Sequence, residues 1–123
     1  MSEQRSEYYV AGPRLKYGNK KVVIDNIEFD SQLEAARYLE LKTLFLAGAI
    51  IGLEMQPVFE LQPGFRDNTG AWRRAITYKA DFAYIENGRF TVEDVKGYGT
   101  EVWRIKEKLF RYTHPNVDFR ILK

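Results

Sequence analysis

Acids and a lysine stand in the run TVEDVKG, residues 91–97, where a buried strand would ordinarily carry Val and Ile. Upstream, the run YKADF places Asp81 in a second β-rich stretch, and Asn87-Gly88 joins the two. An Asn-Gly pair between such runs predicts a two-residue hairpin turn, because both residues tolerate positive φ. Counting outward from that turn sets Glu86 against Arg89 and Asp81 against Asp94. Residues directly opposed in an antiparallel ladder carry their side chains on one face with Cβ atoms about 5 Å apart, so the two carboxylates would repel. A divalent cation relieves that conflict. Lys96 lies two residues beyond Asp94 and shares its face, while Glu93 points to the other. A bulge or a longer loop would shift the pairing by one and bring Glu93 opposite Asp81.

Two carboxylates and an ammonium group suit metal-assisted hydrolysis of a phosphodiester. The carboxylates hold Mg2+ or Mn2+, the ion stabilises charge on the scissile phosphate and acidifies a bound water, and the lysine orients or deprotonates that water. Magnesium keeps several waters and needs only one or two protein carboxylates, so Asp81 and Asp94 suffice. Glu34 is the candidate for a third acid, because it opens a helix that must pack on the sheet. It also stands three residues after Ser31 and completes a capping box, a role compatible with the first.

The elements that must position these residues follow from pattern. VVIDNIEF, 22–29, reads as a small hairpin turning at Asp25-Asn26. FDSQLEAARYLELKTLFLAG is a helix capped by Ser31 and stopped by Gly48. LEMQPVFEL alternates, with Leu53, Met55, Phe59 and Leu61 on one face, and predicts a strand with Pro57 at an edge or bulge. PGFRDNTGAWRR reads as a basic loop. After the hairpin, Thr100 caps a second helix, TEVWRIKEKLFRY, with Val102, Ile105, Leu109 and Tyr112 along one side and Arg104, Lys108 and Arg111 along another. NVDFRILK closes as a strand. The order is helix, three antiparallel strands, helix, strand, an α/β or α+β arrangement in which helices cover a mixed sheet.

A chain of 123 residues with 45% hydrophobic content has enough apolar surface for one core. Residues 1–13 are polar and aperiodic and predict a mobile arm, leaving 14–123 as a single domain. No run approaches the roughly 18 residues of a membrane span, and no apolar signal core follows the first charges, so a cytoplasmic protein without a membrane partner is expected. The absence of cysteine excludes disulfides and zinc–thiolate sites, and one histidine cannot build a histidine cluster. A metal site must therefore be built from oxygen ligands.

YKADF followed by VEDVKG, with the upstream Glu in FDSQLEAARYLEL, resembles the PD-(D/E)XK nuclease superfamily. Residues 14–122 look more narrowly like a family of small phage and prophage proteins assigned to it, and Holliday-junction resolvases and phage endonuclease I are similar at the motif level. The resemblance implies a restriction-endonuclease-like αβββαβ core. It places Asp81 at the first acid, Asp94 at the second, Lys96 at the lysine and Glu34 at the helical glutamate, with the carbonyl of Val95 as a further metal ligand. Ala80 replaces the proline that names the motif.

A nuclease must also hold a polyanion, mostly through Arg, Lys and helix N-termini. Net charge is only +2, from 19 basic and 17 acidic residues, but the basic residues cluster. Lys16, Lys20 and Lys21 form one patch, Arg73 and Arg74 another, Arg104, Lys108 and Arg111 a third, and Arg37 follows Glu34 by one turn. Trp72 and Trp103 are able to stack on bases, although Trp103 beside Val102 and Ile105 also reads as core, and His114 reads as a cap or surface residue. The expected function is a metal-dependent endodeoxyribonuclease acting on double-stranded or branched DNA. Cutting a recombination junction needs two symmetric nicks, hence a homodimer. The alternative is a DNA-binding or interaction module that keeps the nuclease fold without turnover.

Overall fold

A computed structural model describes residues 20–95 and 99–123, so the expected arm over 1–13 and the candidates Lys16 and Lys96 lie outside the described residues. The chain divides between Ala47 and Gly48 into two compact units.

In the first unit, β1 (Val22–Ile24) and β2 (Ile27–Phe29) form the hairpin that VVIDNIEF predicts, with Ile24 opposite Ile27. Asp25 and Asn26 take φ of 55° and 64°, the left-handed pair whose twist matches the flanking strands. The helix α1 (Gln32–Leu46) follows, and Ser31 Oγ accepts from the Glu34 N–H at 3.1 Å. The Glu34 carboxylate reaches back to the N–H of Asp30 at 3.4 Å, one residue before the cap, a displaced form of the expected box. Tyr38 packs on Phe29 with ring centroids 5.1 Å apart, and its hydroxyl donates to Asp25 at 2.6 Å. Lys42 donates to the same Asp25 oxygen at 2.6 Å. These two donors, Lys42 first, hold the Asp25 carboxyl below its usual range, while burial and then the bond to Asp25 push the Tyr38 phenol up to about 12.

The second unit holds a four-stranded mixed sheet built from β3 (Ile51–Met55), β8 (Phe82–Glu86), β9 (Arg89–Val95) and β10 (Asp118–Leu122), in the order β10-β9-β8-β3. The central pair, β8 and β9, has the register counted from its turn, from Glu86 opposite Arg89 to Phe82 opposite Glu93. Asn87 and Gly88 have φ of 53° and 76°. β10 runs parallel to β9 and β3 antiparallel to β8, so the class is mixed α+β. In chain order, α1, β3, β8, β9, the second helix and β10 reproduce the expected sequence of main elements, with smaller strands inserted between them.

Two expectations need correction here. The single strand over 53–61 is two, β3 and β4 (Val58–Gln62), because Pro57 has no N–H to give a ladder and Gln56 turns the chain at φ 56°. The alternation survives the break, with Leu53, Met55, Phe59 and Leu61 half-buried and Glu54 and Glu60 exposed. The expected loop at 63–74 is a further hairpin, β5 (Phe65–Arg66) and β6 (Trp72–Arg73), closed by an Asp67–Ala71 turn. With β7 (Ile76–Lys79) paired to β4, the chain from Ile51 to Glu86 is one interrupted ribbon that leaves the sheet, turns at its tip and returns.

The helix α2 (Glu101–Thr113) is capped by Thr100, whose Oγ1 accepts from the Trp103 N–H at 3.1 Å, and His114 is its C-cap as expected. Its orientation is not the expected one. Val102, Ile105 and Tyr112 are 62%, 60% and 82% exposed, whereas Phe110 is fully buried. The aromatic residue wins because a concave aromatic layer is there to receive it: Phe110 lies 4.9 Å from Phe59, 5.3 Å from Tyr78 and 5.2 Å from Phe119, centroid to centroid. Ala83 and Val92 complete this core on the sheet.

Two outcomes test this packing. Phe110→Ala lowers the free energy of unfolding in urea by about 3–5 kcal/mol, the cost of emptying a buried aromatic site, whereas Tyr112→Ala changes it by less than about 0.5 kcal/mol. Asp25 is stabilised as a carboxylate, so its contribution is present above the unfolded pKa of about 4 and is lost as pH falls through the lowered folded value. Wild type therefore melts above Asp25→Asn at neutral pH, and the gap in thermal midpoint closes on acidification.

Candidate functional site

Asp81 sits where the ribbon enters the sheet. Its carbonyl accepts from the Gln56 N–H at 2.8 Å, and the neighbouring Ala80 N–H donates to the Pro57 carbonyl at 3.0 Å, so main-chain hydrogen bonds span this kink. The ladder proper stops at Phe82 opposite Glu93. Asp81 is not an ordinary ladder partner of Asp94, a departure from the simple count. Its N–H bonds the Glu93 carbonyl at 3.1 Å, and its carboxylate Oδ2 accepts from the Val95 N–H at 2.6 Å. Asp81 thus grips the peptide groups on both sides of Asp94. This is bulge geometry, which redirects a side chain at the end of a strand pair.

Asp94 is 1% exposed. Its Oδ2 accepts from the Tyr78 hydroxyl and from the Trp103 indole Nε1 at 2.8 Å, so β7 and α2 both donate to a carboxylate carried by β9. Burial, followed by the bond to Asp94, drives the Tyr78 phenol well above its usual range, and the charge of Asp81 acts in the same direction. Tyr78 therefore stays a donor. Gly99 makes room for the indole: a Cβ there would lie 2.5 Å from Trp103 Cε3.

Glu93, expected to be a bystander on the opposite face, is 0% exposed and accepts from the Tyr84 hydroxyl. Arg120 of β10 approaches the same hydroxyl at 3.3 Å and binds Asp118 at 2.7 Å and Glu86 at 3.3 Å. The bond to Asp118 and its charge raise the Arg120 pKa, and Arg120 in turn lowers that of Asp118. The separation of Asp94 and Glu93 onto two faces is thus realised, each satisfied by its own tyrosine.

Glu34 is buried in the first turn of α1, within the first unit, and the Val95 carbonyl terminates β9. Of the basic candidates described, Lys20 is half-buried, Lys21 pairs with Asp30 at 2.7 Å, Arg37 with Glu40 at 2.8 Å and Arg73 with Asp67 at 3.4 Å. Arg111 pairs with Glu107 and lies over the Phe119 ring at 4.8 Å. Arg74, Arg104 and Lys108 are exposed on the second unit.

In kind, Asp81, Asp94 and the Val95 carbonyl offer oxygen donors of the sort a hard divalent cation takes. A carboxylate offers about four acceptor positions, so each donor on Asp94 fixes a direction and orients the group. Among the described residues, no three carboxylate, histidine or cysteine side chains come together to hold a metal. Sequence reasoning missed Tyr78, Tyr84 and Trp103 as partners of the acids. A period-2 count from the turn would have put Tyr84 on the Glu93 face, but the two donors to Asp94 come from other elements and left no local signal.

Mixed α+β topology with a carboxylate buried beside a kinked strand defines the class. Within it, the chain belongs to the family described as "Protein of unknown function (DUF1064)", whose model matches residues 14–123 and so begins where the sequence reading ends its arm. No curated protein and no solved structure matches the chain.

Tyr78→Phe removes one donor from a buried carboxylate and destabilises the protein by about 1–3 kcal/mol in urea unfolding. In combination with Asp94→Asn the loss is less than the sum of the two single changes, as coupling through one hydrogen bond requires.

Proposed function

We propose that the protein is a metal-dependent endodeoxyribonuclease on a restriction-endonuclease-like core. One observation carries the reading: Asp81 bonds the peptide groups on both sides of Asp94, so the two acids adjoin at the end of a central hairpin. A fold alone gains little from burying Asp94 where two donors must be supplied to satisfy it. The order of main elements supports the same core.

In this reading Asp81, Asp94 and the Val95 carbonyl hold Mg2+ or Mn2+, with Glu34 as the further acid that the resemblance implies. When bound, the ion supplies charge stabilisation at the scissile phosphate and a more acidic water. Tyr78 and Trp103 fix the direction of the Asp94 carboxylate, and the aromatic layer keeps bulk water from its inner oxygen. Lys96 orients the attacking water and balances charge. Water oxygen bonds to phosphorus, the bond from phosphorus to the departing sugar oxygen breaks, and that oxygen leaves with a proton as an alcohol. Arg74, Arg104 and Lys108 meet DNA phosphates, assisted by the paired Arg73 and Arg111 and by Lys16, Lys20, Lys21 and Arg37. Branched DNA is the proposed substrate class, with a homodimer placing the two nicks. No described helix is long and apolar enough to cross a membrane, and a cytoplasmic site of action accords with a DNA substrate.

The second reading, a DNA-binding module without turnover, is favoured by the near-complete burial of Asp94. Supercoiled, linear and four-way-junction DNA incubated with Mg2+ separates the two. The nuclease reading expects cleavage that EDTA abolishes, that Asp81→Asn and Asp94→Asn reduce on the order of 10²-fold or more, and that Trp103→Phe reduces about 10- to 100-fold, as partners of a metal-bound carboxylate do. Failure to cut any of the three substrates would sink it, and full activity in Asp94→Asn would sink the site.

A further inference from the structure

Trp72 is 58% exposed at the far end of the ribbon, an unusual place for the largest apolar side chain. It is nonetheless held. A Cβ on Gly64 would lie 2.5 Å from Trp72 Cζ2, so the indole rests directly on glycine backbone, and the Arg66 guanidinium lies 5.9 Å from the ring centroid. Arg66 Nη1 in turn donates to the Gly70 carbonyl at 3.0 Å. The turn is locked by Asp67, whose Oδ1 accepts from the Thr69 N–H at 2.8 Å, the Thr69 hydroxyl at 2.6 Å and the Ala71 N–H at 3.2 Å. The ring is therefore positioned before any ligand arrives, yet more than half exposed.

The chemistry around the ring selects a partner. Arg66 lies over the ring, and Arg73 and Arg74 follow Trp72 directly in the chain, Arg73 paired with Asp67 at 3.4 Å and Arg74 exposed. Flat aromatic surface joined to closely spaced anionic groups is the chemistry of a nucleic-acid strand, in which base–aromatic stacking is combined with phosphate pairing. An intact duplex hides its base faces, so only an unpaired base presents one for stacking. We propose that the β5–β6 hairpin is a contact for unpaired DNA, in which Trp72 stacks on an exposed base and Arg73 and Arg74 hold the flanking phosphates. Nine residues separate Trp72 from Asp81 along the ribbon, at most about 30 Å at strand spacing. The inference rests on the DNA reading and deepens it: it makes a branch, fork or frayed end the preferred substrate.

Fluorescence titration in EDTA, where no cleavage occurs, tests the contact with an oligo-dT strand, a four-way junction and a blunt duplex as probes. The expected result is quenching of tryptophan emission by oligo-dT in wild type and its loss in Trp72→Phe, with folding of both variants confirmed by circular dichroism. Trp72→Ala should bind oligo-dT and the junction at least about fivefold more weakly, the lower end of base stacking on an aromatic ring, while its affinity for the blunt duplex changes by less than about twofold. Equal quenching in Trp72→Phe, equal weakening on all three probes, or no binding of oligo-dT by wild type each overturns the contact. Parallel incubation of wild type with Mg2+ keeps the two readings apart. Cleavage of DNA with unaltered oligo-dT binding by the Trp72 variants defeats the contact alone, whereas Trp72-dependent quenching without cleavage of any DNA defeats the nuclease reading alone.

Discussion

Burying a carboxylate without partners costs several kcal/mol, and the second unit is organised around avoiding that cost at Asp94. One donor comes from the strand that leads into the kink, Tyr78, and the other from the first turn of the following helix, Trp103. These two bonds fix more than a side chain. They tie β7, β9 and α2 together at a single oxygen, and they set the rotation of α2 at the end where it begins. Phe110 sets it again two turns later, inside an aromatic layer that also contains Tyr78. A polar pin and an apolar pin on the same helix face leave no freedom to turn the Val102–Tyr112 stripe inward.

That arrangement explains where the sequence was legible. The turns at Asp25-Asn26 and Asn87-Gly88, the caps at Ser31 and Thr100, and the register from Glu86 to Phe82 were all readable, because each depends on residues close together in the chain. The face of α2 was not. Helical periodicity gives Val102, Ile105, Leu109 and Tyr112 a plausible inward side, and only the tertiary presence of Phe59, Tyr78 and Phe119 decides for Phe110. At the candidate site the acids themselves were recognisable by type and spacing. Their hydroxyl and indole donors, and the kink that moves Asp81 off the ladder, depend on contacts between distant segments.

The two faces of β9 solve the same problem with different materials. Asp94 is satisfied by neutral donors within an aromatic layer, whereas Glu93 shares its tyrosine with Arg120 and thereby joins a mixed network of charges running to Glu86 and Asp118. The Glu93 side thus includes a guanidinium among its partners.

Gly64 and Gly99 have a common role: each is the floor on which an indole lies, Trp72 on one and Trp103 on the other. A methyl group at either floor collides with its ring, but at Gly64 it would also lie 3.2 Å from the Arg73 carbonyl oxygen, whereas at Gly99 the nearest atoms are all of the indole. The two glycines are therefore not equivalent. An alanine at position 99 is accommodated once the indole is gone, while one at position 64 still presses on backbone that only a shift of the β6 strand would relieve.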